Sequence, residues 1–201
     1  MDVPEEILDG VRELITIGVG RSAGMLNRLT NAHVTLTVPE VRISDDVRKY
    51  QNEESLHPYT EDTSQIILQF SGEITGSFSL IIPHESALNL VVILTGEEGS
   101  PDEMDALRVE TLLEVGNIII SSTMSALSIL LTTGLSFQFP IYRTGKRNQF
   151  AIEPQMKVGI IARTRFEVQQ KMIEGEMIIC LNRESYDRLD SSIRSIMERG
   201  L

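Results

Sequence analysis

Apolar positions recur at helical spacing along residues 4–31, PEEILDGVRELITIGVGRSAGMLNRLTN, and predict a long helix. Pro4 suits its first turn, and Glu5, Glu6 and Asp9 favour its positive end. Residues 33–44, HVTLTVPEVRIS, predict a strand with an irregularity at Pro39. The polar, acidic stretch 45–62 predicts a loop. Strands follow at 64–71 and 75–82, joined by SGEITG, then a short helix at 84–95 and a turn at TGEEGSP.

The second half runs the same way. A long helix is expected over 101–133 and a strand over 135–143. A basic loop, RTGKRNQ, follows at 143–149, then strands at 156–168 and 171–181 and a last helix at 184–199. The order helix, strand, strand, strand, helix therefore occurs twice. Glu13 and Glu114 lie 101 residues apart, as do Pro39 and Pro140. GSFSLIIPHES at 76–86 aligns with GEMIICLNRES at 175–185 at an offset of 99. The expectation is one α+β domain of two similar halves, about 1–98 and 99–201, with pseudo-twofold symmetry. Two long helices should pack on sheets that join or face each other.

Val115 to Phe139 runs 25 residues without a charge, and 18 of them, Ile118–Leu135, approach the length of a membrane span. Seven of those 18 are Ser or Thr, and Gly134 breaks the run. A helix buried along most of its circumference accounts for the pattern better than a span. One cysteine, Cys180, allows no intrachain disulfide, and the N-terminus is not signal-like, so the expectation is an intracellular, cytoplasmic protein. Cys180 itself reads as a buried structural thiol in an apolar strand.

Net charge is −11 and uneven: residues 1–100 hold 6 basic and 16 acidic side chains, residues 101–201 hold 12 and 13. Such a surface repels phosphate backbones, which argues against nucleic acid as a partner and for a protein surface. His33, His57 and His84 are scattered singly, so nothing suggests a resident metal.

Within the apolar run of the second long helix, Glu110, Glu114 and Asn117 fall at i, i+4 and i+7 and share one face. The pattern is short, and a solvated stripe would explain it. Its chemistry is nonetheless suggestive. A carboxylate pairs with lysine or arginine, and a carboxamide can hold a water in a fixed direction. Neither is a good nucleophile, so the pair suits reactions in which positioning is most of the catalysis, such as phosphoryl transfer to water. Gly116 between them is expected to let another surface approach closely.

The residues resemble the motif of the CheC/CheX/FliY family of chemotaxis phosphatases: acid or serine, three residues, Glu, two residues, Asn, 22 residues, Pro. The second half matches with Glu110, Glu114, Asn117 and Pro140; the first half offers Asp9, Glu13, Thr16 and Pro39 with the same 22-residue gap. The resemblance covers nearly the whole chain, and its two copies are like the CheC branch. It implies two long helices on an antiparallel sheet and hydrolysis of the aspartyl phosphate of a CheY-type response regulator. It implies that Glu114 docks a regulator lysine and Asn117 orients the attacking water. Magnesium would be supplied by the regulator, with no cofactor of the chain's own. CheD, a deamidase, is a known type of partner in that branch; nothing in the sequence marks a surface for it.

Two departures matter. Thr16 stands where the first site should carry asparagine, and threonine is shorter and branched, so the first site is expected to be inactive or much weakened, with Glu13 still able to dock. Glu110 replaces the usual aspartate or serine. Relatives such as FliM keep the fold without the catalytic pair, so a non-catalytic module binding a regulator or a flagellar switch component is the alternative. Gly18, Gly20 and Gly24 with Ser22 and Ala23 superficially suggest a phosphate loop, but no strand precedes them and no Lys-Ser/Thr follows. Close packing against the small-residue stretch STMSALS is expected instead.

Overall fold

In the computed structural model the residues described are 3–30, 33–52, 62–96, 105–131, 134–146, 152–168 and 171–198. The elements are α1 (Glu5–Thr30), β1 (Val34–Ser44), α2 (Val47–Asn52), β2 (Thr63–Gly72), β3 (Gly76–Pro83), α3 (His84–Thr95), α4 (Ala106–Leu131), β4 (Leu135–Phe137), β5 (Ile141–Gly145), β6 (Val158–Val168), β7 (Lys171–Leu181) and α5 (Arg183–Glu198).

The strands form one antiparallel sheet in the order β1-β6-β7-β3-β2, with β4 and β5 both on the outer edge of β2. Exchanging β1 with β4/β5, β2 with β6 and β3 with β7 returns the same order reversed, which is a pseudo-twofold. The two hairpins join where β3 pairs with β7. There Ser77 faces Cys180 and Ile81 faces Glu176, two pairs that the 99-residue offset interchanges. The two sheets expected from the repeat have thus fused into one.

Alternation along the strands separates two faces. Phe78, Leu80 and Ile82 of β3 and Met177, Ile179 and Leu181 of β7 enter the main core beneath α1 and α4. Ile81, Ile178 and Cys180 point to the opposite face, in a smaller cluster with Val47 and Tyr50 of α2. α4 is the one helix among the described residues long and apolar enough to cross a membrane. Its Leu112, Val115, Ile119, Ile120, Met124 and Leu127 are instead buried in the protein.

Where α1 and α4 cross, a Cβ on Gly18 would stand 2.4 Å from the Thr123 Cα. Ser22 is fully buried, and the Ser122 hydroxyl meets the sulfur of Met25 at 3.5 Å. The small-residue packing expected from the sequence is present, but in part: Gly20 and Gly24 face outward, and a Cβ on either would meet no heavy atom within 4 Å.

Two boundaries differ from expectation. The polar stretch 45–62 contains α2, whose first turn is capped by Asp46 accepting from the Arg48 and Lys49 amides at 3.2 Å. Six residues are too few to show a helical period. The strand expected over 135–143 is two strands, β4 and β5, interrupted at Pro140, which can donate no ladder hydrogen bond. Its counterpart β1 stays continuous and absorbs Pro39 as a register shift between Thr37 and Glu40. Several expectations fall on residues outside the described ones: the helix ends at 31, 101–104, 132–133 and 199, the loop residues 53–61 with His57, the turn residues 97–100 and the basic-loop residues 147–149.

Burial on β7 pushes the Cys180 thiol up to about 12. Its alkylation by iodoacetamide at pH 8 should therefore be slower than that of an unfolded control by a factor of about a thousand or more, timed by mass spectrometry.

Candidate functional site

α4 starts at Asp105, whose carboxylate accepts from the Arg108 amide at 2.9 Å and pairs with the Arg108 guanidinium at 2.8 Å. Packing on the sheet turns Leu112, Val115 and Ile119 inward. Glu110, Glu114 and Asn117 then fall on the outer face: both glutamates are exposed and Asn117 is half-buried. Among the described residues, the side chains of Glu114 and Asn117 make no hydrogen bond or ion pair. Only the Asn117 carbonyl is engaged, by the Ser121 hydroxyl one turn on. A carboxylate and a carboxamide are therefore presented to solvent with their hydrogen-bonding capacity unspent.

Leu107, 61% exposed, continues this stripe one turn earlier. Composition alone gave no reason to single it out. A large apolar side chain beside free polar groups suits a protein-docking surface more than a small-molecule pocket.

The corresponding positions on α1 differ. Asp9, Glu13 and Thr16 are all exposed. Asp9 is tied to Arg12 by an ion pair, and the Thr16 hydroxyl donates to the Arg12 carbonyl at 2.8 Å. Thr16 thus spends its donor on its own helix. The Glu13 side chain makes no such bond among the described residues. Arg12, which engages both neighbours, was not singled out from the sequence, although its i+3 spacing from Asp9 is legible there.

Gly116 does not open the surface beside Glu114 and Asn117, as its position in the motif suggested. It is buried and faces the sheet, where a Cβ would come within 2.7 Å of Ile66 on β2. The helix sits so close to the strand there that only glycine fits. Gly116→Ala should lower stability by about 1–3 kcal/mol despite the better helix propensity of alanine. Thermal melts should show it, as α4 is pushed off β2.

Among the described residues no cluster of three or more His, Cys, Asp or Glu could hold a metal ion. His84 instead shares a hydrogen bond with the buried Ser64 hydroxyl at 3.0 Å, which also meets the Tyr142 hydroxyl at 3.0 Å. This ties α3 to β2 and β5.

No family model matches the sequence. The CheY-P phosphatase CheC of Bacillus subtilis strain 168 is 28% identical over 133 residues, which span 64% of this chain and 61% of CheC. The matched stretch is thus less than two thirds of that relative's own length. The crystal structure of FliY from Thermotoga maritima superposes with a TM-score of 0.75 at 16% identity, covering 97% of this chain and 99% of that one. The FliM middle domain from H. pylori superposes with a TM-score of 0.72 at 14% identity, covering 94% and 99%. In its fold, shared along nearly the whole length with FliY, and in its sequence likeness to CheC over 133 residues, the chain is similar to proteins of the CheC/CheX/FliY family.

Proposed function

We propose that the chain is a phosphatase acting on the aspartyl phosphate of a CheY-type response regulator, with its working site on α4. The observation that carries this reading is the pair of unengaged polar side chains, Glu114 and Asn117, on an exposed helical stripe. The name of the similar CheC, a CheY-P phosphatase, supports the substrate class.

In this reading Glu114 docks a lysine of the regulator through a charge-assisted hydrogen bond. Asn117 enters the regulator's site and orients a water in line with the phosphorus. The water oxygen bonds to phosphorus, the bond from phosphorus to the aspartyl oxygen breaks, and inorganic phosphate and a free carboxylate result. Fixing the water's direction converts a poorly oriented encounter into a near-attack geometry, where most of the catalytic gain lies. Magnesium and the phosphoryl group belong to the regulator; the chain needs no cofactor of its own. Glu110 and Leu107 extend the docking stripe.

On α1, Glu13 keeps a docking carboxylate while Thr16, bonded back to Arg12, has no donor to offer a water. Thr16→Asn in an Asn117→Ala background should restore measurable turnover. Its absence, with regulator binding intact, would show that the α1 surface lacks more than the carboxamide.

A second reading, a non-catalytic module binding a regulator or a switch component, is favoured by the fold likeness to the FliM middle domain. The two separate by the dephosphorylation rate of a magnesium-loaded, phosphorylated regulator. Acceleration by the chain supports the phosphatase. Binding without acceleration supports the module.

A further inference from the structure

We infer that the sheet face opposite α1 and α4 carries a second binding site, for a small amphiphile with an apolar body, a hydrogen-bond-donating amide and a carboxylate. A groove of about 350 Å³ lies there over β2, β3 and β7. Its volume is at the small end of ligand sites, roughly 300–1,000 Å³. Ile67, Ile81 and Ile178 form an apolar floor, and Ile152 and Pro154 line one side. At the rim stand Phe139, 93% exposed, and Ile141, 50% exposed. Together with the floor they make a contiguous apolar patch, which suits a binding surface.

The polar groups narrow the chemistry. Gln65 is 5% exposed and points into this groove. Its Nε2 donates to the Ser79 hydroxyl at 3.0 Å, but its buried Oε1 has no hydrogen-bond partner. A buried acceptor without a donor is costly, and a donor from a ligand relieves that cost. Across the strand pair, Arg143 of β5 stands opposite Gln65, and among the described residues its guanidinium makes no hydrogen bond or ion pair. Among the described residues lining the groove the one carboxylate is Glu153, which already accepts from the side-chain amides of Gln69 and Gln155 and makes no ion pair with Arg143. An acceptor needing a donor, an unengaged cation beside it and an apolar floor together describe an amide N–H, a carboxylate and a hydrocarbon body.

The other half of this face is covered by α2. α2 lays Val47 against Gly159 of β6, and the Tyr50 hydroxyl donates to Glu176 of β7. The pseudo-twofold carries β6 and β7 onto β2 and β3, so the groove is the equivalent surface in the other half of the sheet. This site is independent of the Glu114–Asn117 stripe, which lies on α4 above the other sheet face.

The test is titration of the full chain with N-octanoylglycine, which holds all three elements, followed by isothermal calorimetry and amide shifts in NMR. Saturable binding is expected, with shifts confined to β2, β3, β5 and residues 152–154. Octanoate, lacking the amide, should bind about tenfold more weakly. Gln65→Leu, similar in size but without the acceptor, should abolish the difference between the two probes. Arg143→Gln, an exposed change that leaves the core alone, should weaken N-octanoylglycine about fivefold. No saturable binding, equal affinity for both probes in the unaltered chain, or shifts centred on α1 and α4 would each overturn the assignment.

Discussion

Asn117→Ala should reduce the dephosphorylation of a phosphorylated CheY-type regulator by about a hundredfold or more, to the regulator's own rate, with regulator binding unchanged. Asn117 is half-buried and its side chain supports no other group among the described residues, so truncation leaves the packing of α4 in place. The loss would fall on the oriented water alone. Glu114→Ala should behave differently. It removes a docking contact, so the regulator concentration needed for half-maximal rate should rise while the saturated rate changes less. Stopped-flow fluorescence at several regulator concentrations separates the two. Equal turnover by the unaltered chain and Asn117→Ala would remove the proposed mechanism, and equal binding with no turnover by either would favour the non-catalytic module.

A large effect on stability should come from Gly18→Ala. Alanine is favoured over glycine inside a helix by about 1 kcal/mol, so propensity predicts a gain. Packing predicts the reverse. The new methyl would lie 2.4 Å from the Thr123 Cα, 3.0 Å from its nitrogen and 3.1 Å from the Ser122 carbonyl oxygen. All three are backbone atoms, so relief requires α1 and α4 to move apart along their crossing. A net loss of about 2–4 kcal/mol is expected, which in a chain of this size lowers Tm by roughly 5–15 °C. Gly20→Ala, two residues on and facing solvent, should instead gain up to about 1 kcal/mol. Opposite signs at Gly18 and Gly20 would establish the close crossing; a neutral Gly18→Ala would refute it.

Much of the fold was legible in the chain because its signals are long. α1 and α4 each run 26 residues, enough for the apolar period to declare itself. The hairpins β2–β3 and β6–β7 were legible from alternation and their turns. α2 was not, since six residues carry no period, and its Val47 and Tyr50 look like loop residues until the sheet beneath them is known. Pro39 and Pro140 sit at matching places, yet Pro140 interrupts its strand and Pro39 only shifts register. The difference lies in the partners: β1 pairs with β6 on both sides of its proline, whereas β4 and β5 meet separate ends of β2.

The same division runs through the candidate site. Helical spacing alone determines that Glu110, Glu114 and Asn117 share a face, because a backbone of 3.6 residues per turn allows nothing else. The identity of Thr16, and its habit of bonding back along its own helix, are equally local. Which face of each helix is covered is not local. Gly116 was placed by its neighbours in sequence on the outer surface, and by Ile66, 50 residues earlier, on the inner one. Gly18 is pressed against Thr123, while Gly20 and Gly24 of the same glycine-rich stretch face water. Periodicity determines which residues travel together around a helix; only the elements that pack against it, brought from distant parts of the chain, decide which of those groups is buried and which is left free to meet a partner.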